Sequence, residues 1–158
     1  MKRFLLISFM GLLTLTAFGQ GKLISSSGDK RPAWIKKNVD RYDVMKVSCE
    51  STVSLEDARG KAFEELHSSV VNSVTSYLMQ THIEGADAGK VRQEAENSSF
   101  VRNISESTDL DVYWEHRLVK KQDLYIYYIL YNFNDNEKKK AALEINMGNF
   151  QKKHSESF

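Results

Sequence analysis

Side chains able to do chemistry are sparse in this sequence: one cysteine, four histidines and several neighbouring carboxylates. A metal site needs ligands whose spacing closes on a single ion. The closest His–carboxylate pairs, His82 with Glu84 and Glu115 with His116, supply only two ligands each, so no metal is expected. Acyl transfer calls for a nucleophile on a tight G-x-S-x-G turn, and nucleotide chemistry for a glycine-rich phosphate loop. Neither pattern occurs in the chain. Glu64 with Glu65, Glu94 with Glu96 and Asp109 with Asp111 lie in polar runs. General acid catalysis requires a carboxyl raised by an apolar pocket, so these pairs read as a solvated surface. Cys49 alternates with polar residues beside Met45 and Val47, the pattern of a small buried hydrophobe. Its alternative role as a nucleophilic thiolate would need a neighbouring base or cation. No catalytic residue, metal or cofactor is therefore expected, and the protein reads as a non-enzyme.

The more suggestive group is aromatic. Tyr125, Tyr127, Tyr131 and Phe133 recur at about every second residue, and Tyr113 is expected to lie opposite them. Five such rings could form a ligand face, an isologous contact or ordinary core. Their use as an interface predicts that Tyr127→Ala or Tyr131→Ala weakens association without unfolding the domain.

These rings have to be positioned by a few elements. A strand is predicted from about Tyr42 to Ser51, with Met45, Val47 and Cys49 on one side. Ser54-Leu55-Glu56-Asp57 is a helix start, with a capping hydroxyl and acids in the first turn. From there Leu55, Ala58, Ala62, Leu66, Val70, Val74, Tyr77 and Leu78 form one helical stripe that ends near His82. Asp87 to Glu106 is a weaker helix, because Asn97, Ser98 and Ser99 compete for backbone hydrogen bonds. Leu110 to Leu118 alternates cleanly, placing Val112, Trp114 and His116 on one face and Tyr113, Glu115 and Arg117 on the other. A polar turn leads into Asp123 to Phe133, apolar on both faces and rich in aromatic and β-branched residues. Asn134-Asp135-Asn136 starts a last helix, Glu137 to Phe150, with Leu143, Met147 and Phe150 on its inner side. The order β-α-α-β-β-α predicts an α+β fold, an antiparallel sheet of about three strands packed against the long helix.

Composition limits the role of such a domain. With 22 Lys+Arg against 21 Asp+Glu the chain lacks the basic excess of a nucleic-acid protein, and no nucleic-acid partner is expected. Lys2 and Arg3 followed by the uncharged apolar stretch Phe4 to Ala17 and the small residues Ala17 and Gly19 match a secretory signal. The stretch is shorter than the ~20 residues a spanning helix needs. The expected organisation is a signal peptide over 1–19, a flexible Gly/Ser-rich leader over 20–30, one domain over 31–150 and a frayed tail over 151–158. No transmembrane segment is expected after signal cleavage. No cysteine stands near the cleavage point to accept a lipid.

Pro32-Ala33-Trp34 after the signal, the Ala-spaced acidic helix start Leu55 to Phe63, the strand Val112-Tyr113-Trp114 and the aromatic strand Tyr125 to Tyr131 occur in this order. In that combination the chain resembles the twenty-kilodalton bacterial outer-membrane lipoprotein family, related to domains in flagellar outer-ring assembly proteins. The resemblance spans Pro32 to Ala142. It implies a helix-on-sheet domain of the bacterial envelope, periplasmic or outer-membrane-associated, serving as a scaffold or partner-binding module. This chain lacks the family's lipidation cysteine and carries nothing flagellar. The expected partner is an envelope protein or a second copy of the chain. The alternative is a small-ligand or glycan-binding protein that uses the aromatic face.

Overall fold

A computed structural model describes residues 21–36, 44–81 and 87–155. The expected signal peptide, Tyr42, the His82–Glu84 pair and the last residues of the tail lie outside them.

Strands β1 (Lys22–Ser26), β2 (Val44–Ser51), β3 (Leu110–Val119) and β4 (Gln122–Asn132) form one antiparallel sheet in the order β1-β3-β4-β2. Helices α1 (Leu55–Thr81), α2 (Ala88–Asn97), α3 (Ser99–Arg102) and α4 (Asp135–Ser155) complete an α+β fold. The sheet has four strands where about three were expected, and the first of them lies in the segment read as a flexible leader. Gly21–Ser26 resembles a leader in composition, but its backbone pairs with β3 from Lys22 opposite Leu118 to Ser26 opposite Glu115. That ladder depends on a close approach. A Cβ on Gly21 would meet Val119 Cγ2 at 2.5 Å and the Leu118 carbonyl oxygen at 2.8 Å, so only glycine fits where β1 begins.

The long helix starts as its sequence requires. Ser54 Oγ accepts a hydrogen bond from the Asp57 amide at 3.1 Å, filling a donor that the first helical turn leaves open. The predicted stripe is the core: Ala58, Ala62, Leu66, Val70, Val74 and Leu78 are all 0% exposed. Burial of a Leu or Val side chain of this kind contributes ~1.5–3 kcal/mol. Alanines at the first two positions let the N-terminal half of α1 lie close to β2 and β4, the strands it packs on.

The segment after α1 is divided by one serine. Asp87 caps α2 by accepting from the Gly89 amide at 2.8 Å. Ser98 Oγ then donates to the Ala95 carbonyl at 2.8 Å and accepts from the Val101 amide at 3.2 Å. The same hydroxyl closes α2 and opens α3, so the single helix expected over Asp87 to Glu106 becomes two helices and a 3-10 turn. In α4, capped by Asn134, the buried side chains among those described are Ala141, Ala142 and Ile145, whereas Leu143 is 62% exposed; the side chains of Met147 and Phe150 lie outside the described ones. Leu143 therefore does not belong to the inner side assigned to it. The small pair Ala141–Ala142 permits close packing on α1, and it is this face that turns inward.

The face of the sheet opposite the helices is covered by the chain following β1. Ile35 and half-buried Trp34, in a 3-10 turn over Ala33–Ile35, pack with Tyr113, Leu124, Ile126 and Tyr128. This second, smaller core explains why β4 is apolar on both faces.

Candidate functional site

The five aromatic residues singled out from the sequence do not share a surface. Register decides their faces: Tyr113 is opposite Tyr128, whereas Trp114 is opposite Tyr127. Tyr113 (4% exposed) therefore points away from the helices, with its ring 6.2 Å from Tyr128. Tyr127, Tyr131 and Phe133 point the other way and are buried under the helices. Phe63 lies 6.2 Å from the Tyr127 ring, and Phe100 lies 6.0 Å from Phe133. Tyr125 is half-buried and stacks on His116 at 4.5 Å. The expected interface of Tyr113, Tyr125, Tyr127, Tyr131 and Phe133 is corrected accordingly. Four of its rings are core residues, because helices cover one side of β4 and the 31–35 segment covers the other.

Behind the sheet lies a charged cluster that the alternation pattern marked only as a polar face. Glu115 is 1% exposed. One carboxylate oxygen is 2.9 Å from Arg31 Nε and the other 2.7 Å from Arg117 Nε. Arg31 also donates to the Tyr128 hydroxyl at 2.6 Å and sits 5.4 Å from the centre of its ring. Arg117 donates to the Gly21 carbonyl at 3.1 Å. Its pKa is raised, chiefly by the hydrogen bond to Glu115, while burial raises that of the Tyr128 phenol. A buried carboxylate needs such partners to offset its lost hydration. The arrangement ties β1, the 31–35 segment, β3 and β4 together, and every group is engaged. Its sequence signal was the Glu115–Arg117 spacing, two residues apart on one strand. The partner Arg31 is too distant in sequence to have been paired with them.

Glu115 and His116 point to opposite faces, so they do not form a ligand pair. His116 Nε2 instead lies 2.8 Å from Asp123 Oδ1. Among the described residues no group of three His, Cys, Asp or Glu side chains is arranged to hold a metal.

Cys49 faces α1 and donates its thiol hydrogen to Glu65 Oε2 at 3.1 Å. Burial, the hydrogen bond to Glu65 and that carboxylate's charge push the thiol up to about 12, against a smaller opposing effect of Lys61. A thiol so placed is a poor nucleophile at neutral pH. Its alkylation rate is expected to keep rising about tenfold per pH unit above roughly pH 9, where an ordinary thiol has levelled off. Glu65→Gln should accelerate labelling without fully restoring it, because burial is the largest cause and remains. Iodoacetamide labelling of folded protein across a pH series checks both statements.

A cavity of about 370 Å³ opens beside α3 and is lined in part by Phe100, Tyr131, Glu106, Glu137 and Glu144. Two of its carboxylates are occupied. Glu144 accepts the Ser99 and Phe100 amides at 2.7 and 3.2 Å, and Glu137 takes Lys140 Nζ at 2.6 Å. The Tyr131 hydroxyl is held near 12 by burial and by Glu137.

Among the described residues, α1 packs on β2 and β4 and leaves the β3 half of the sheet's helix side open. Along β3, Leu110, Val112, Trp114, His116 and Leu118 share the side of Ile129 and Tyr127. Val112 is 47% and Leu118 38% exposed, with Trp114 half-buried between them. The described residues thus present an apolar strip on β3 and no constellation equipped for catalysis. Comparison with protein-family models, curated proteins and solved structures finds no match for this chain.

Proposed function

We propose that this chain is a non-enzymatic module exported to the bacterial envelope, where it binds a protein partner, either another envelope protein or a second copy of itself. The observation that carries the reading is the uncovered side of β3, where Val112 and Trp114 offer apolar surface beside the helix layer. Apolar side chains contiguous on a rigid surface are what partner-binding faces present. Three further features support it. The N-terminal residues have the charge and length pattern of a secretory signal, and the order of elements resembles the twenty-kilodalton outer-membrane lipoproteins. The groups best suited to chemistry, Cys49 and Glu115, are engaged in internal hydrogen bonds. With Tyr127, Tyr131 and Phe133 in the core, the glycan-binding alternative loses its platform.

Val112→Asp tests the proposal. The side chain is 47% exposed and Asp is a poor strand former, so a cost of about 1 kcal/mol is expected, which a denaturant midpoint separates from lost binding. Self-association in analytical sedimentation, or retention of a defined envelope protein on immobilised chain, should fall at least tenfold. A variant that associates as the wild type does would refute the use of this strand.

A further inference from the structure

We propose that the β3–β4 hairpin end of the sheet is the part of the domain that rests against an anionic lipid bilayer. This goes beyond a protein-binding role: the surface shares Leu118 with the apolar strip of β3 but lies at the hairpin end of that strand, six residues from Val112.

The turn itself is the first observation. Lys120 and Lys121 both have left-handed backbones, with φ of 51° and 68°. Two-residue hairpin turns of this kind favour Asn-Gly, because β-carbons are disfavoured where φ is positive. Two lysines therefore stand where the fold alone would select other residues, and local strain retained at an exposed tip is a mark of use rather than of stability. Both are exposed.

The surroundings match one kind of surface. Lys22 lies opposite Leu118 in the ladder, at the same end of the sheet. Leu23, Ile24 and Leu118 are 47%, 49% and 38% exposed. Asp123, the carboxylate opposite Leu118, is taken by His116 at 2.8 Å, and no carboxylate pairs with Lys22, Lys120 or Lys121 among the described residues. Three unpaired ammonium groups around exposed aliphatic side chains fit lipid headgroups with acyl chains beneath them. Strand addition by a second copy is disfavoured at this edge, because the ladder is broken by a bulge between Leu23 and Ser25.

Arg117 holds the Gly21 carbonyl at this same end, which fixes the start of β1 beside the hairpin.

The test compares the full chain with a Lys120→Asn, Lys121→Gly variant for co-sedimentation with phosphatidylcholine vesicles, with and without phosphatidylglycerol. The apolar N-terminal residues contribute equally to both proteins. Wild type should prefer the phosphatidylglycerol vesicles, and high salt should abolish that preference. The variant should lose about fivefold per lysine, about twenty-five-fold in all. It should also unfold at higher denaturant concentration, because Asn-Gly relieves the turn, which separates lost binding from lost structure. Equal preference in both proteins would overturn the proposal. So would absence of preference together with a dimer that Leu118→Ser dissociates, which would assign the surface to a second copy. Equal preference in both proteins leaves the Val112→Asp result untouched, and a dimer that Leu118→Ser dissociates would overturn the lipid proposal while supporting self-association, so the two readings fail distinguishably.

Discussion

Glu115→Ala is expected to destabilise the domain by about 3 kcal/mol, a larger effect than replacement of any exposed charge. Glu115 is 1% exposed and binds Arg31 and Arg117 through separate oxygens. Its removal leaves the Arg117 guanidinium, whose side chain is only 13% exposed, without its counter-charge. The cost comes mainly from that stranded cation, since a buried pair gains little over apolar side chains but loses much when broken. Arg31→Ala supplies the contrast. Its side chain is 34% exposed, so water replaces part of what is lost, and a cost of about 1 kcal/mol is expected. Urea titrations of the two variants check the ranking. Limited proteolysis at Lys30 and Lys36 should show both variants cut sooner than wild type, because Arg31 holds that segment to the sheet. A Glu115→Ala midpoint equal to wild type would show that the cluster does not stabilise the fold.

Phe133→Ala and Tyr131→Ala should each cost about 3–5 kcal/mol, the range for deleting a fully packed ring. Phe133 is 0% and Tyr131 1% exposed, their ring centres 5.6 Å apart, and Phe100 packs on Phe133 from α3. A cavity left there would lie between β4 and Phe100 of α3, and β4 cannot collapse into it without breaking its ladder hydrogen bonds. This reverses the sequence-based expectation that truncating Tyr127 or Tyr131 weakens association while sparing the fold. Thermal denaturation discriminates cleanly. A core role lowers the midpoint of both variants by many degrees, whereas an interface role leaves it unchanged at a concentration where the chain is monomeric.

Much of the architecture was legible because it depends on local periodicity. The Ala58-to-Leu78 stripe, the Ser54 cap and the alternation through β3 are repeats of 3.6 and 2 residues, and tertiary context had no competing pattern to impose on them. The break at Ser98 was also foreshadowed, since serine offers the backbone a rival hydrogen bond. The strand at Lys22–Ser26 was not legible. Its composition is that of a loop, and it is ordered by pairing with β3, whose residues lie far along the chain. Leu143 misled for a related reason: two alanines, weak signals in any apolar pattern, mark the side of α4 that packs closest.

The sequence by itself determined the class of fold, the core stripe of α1 and the absence of a recognisable catalytic motif, because these follow from residue types and short spacings. Tertiary structure alone decided what the aromatic and charged residues are for. Pairing of β3 with β4 sends Tyr113 and Tyr127 to opposite sides of the sheet, and the covering of each side places them in two separate cores. The same long-range pairing brings Arg31 to Glu115 and Lys22 to Leu118. Contacts between residues this far apart carry no periodic signature, since they depend on how whole elements pack.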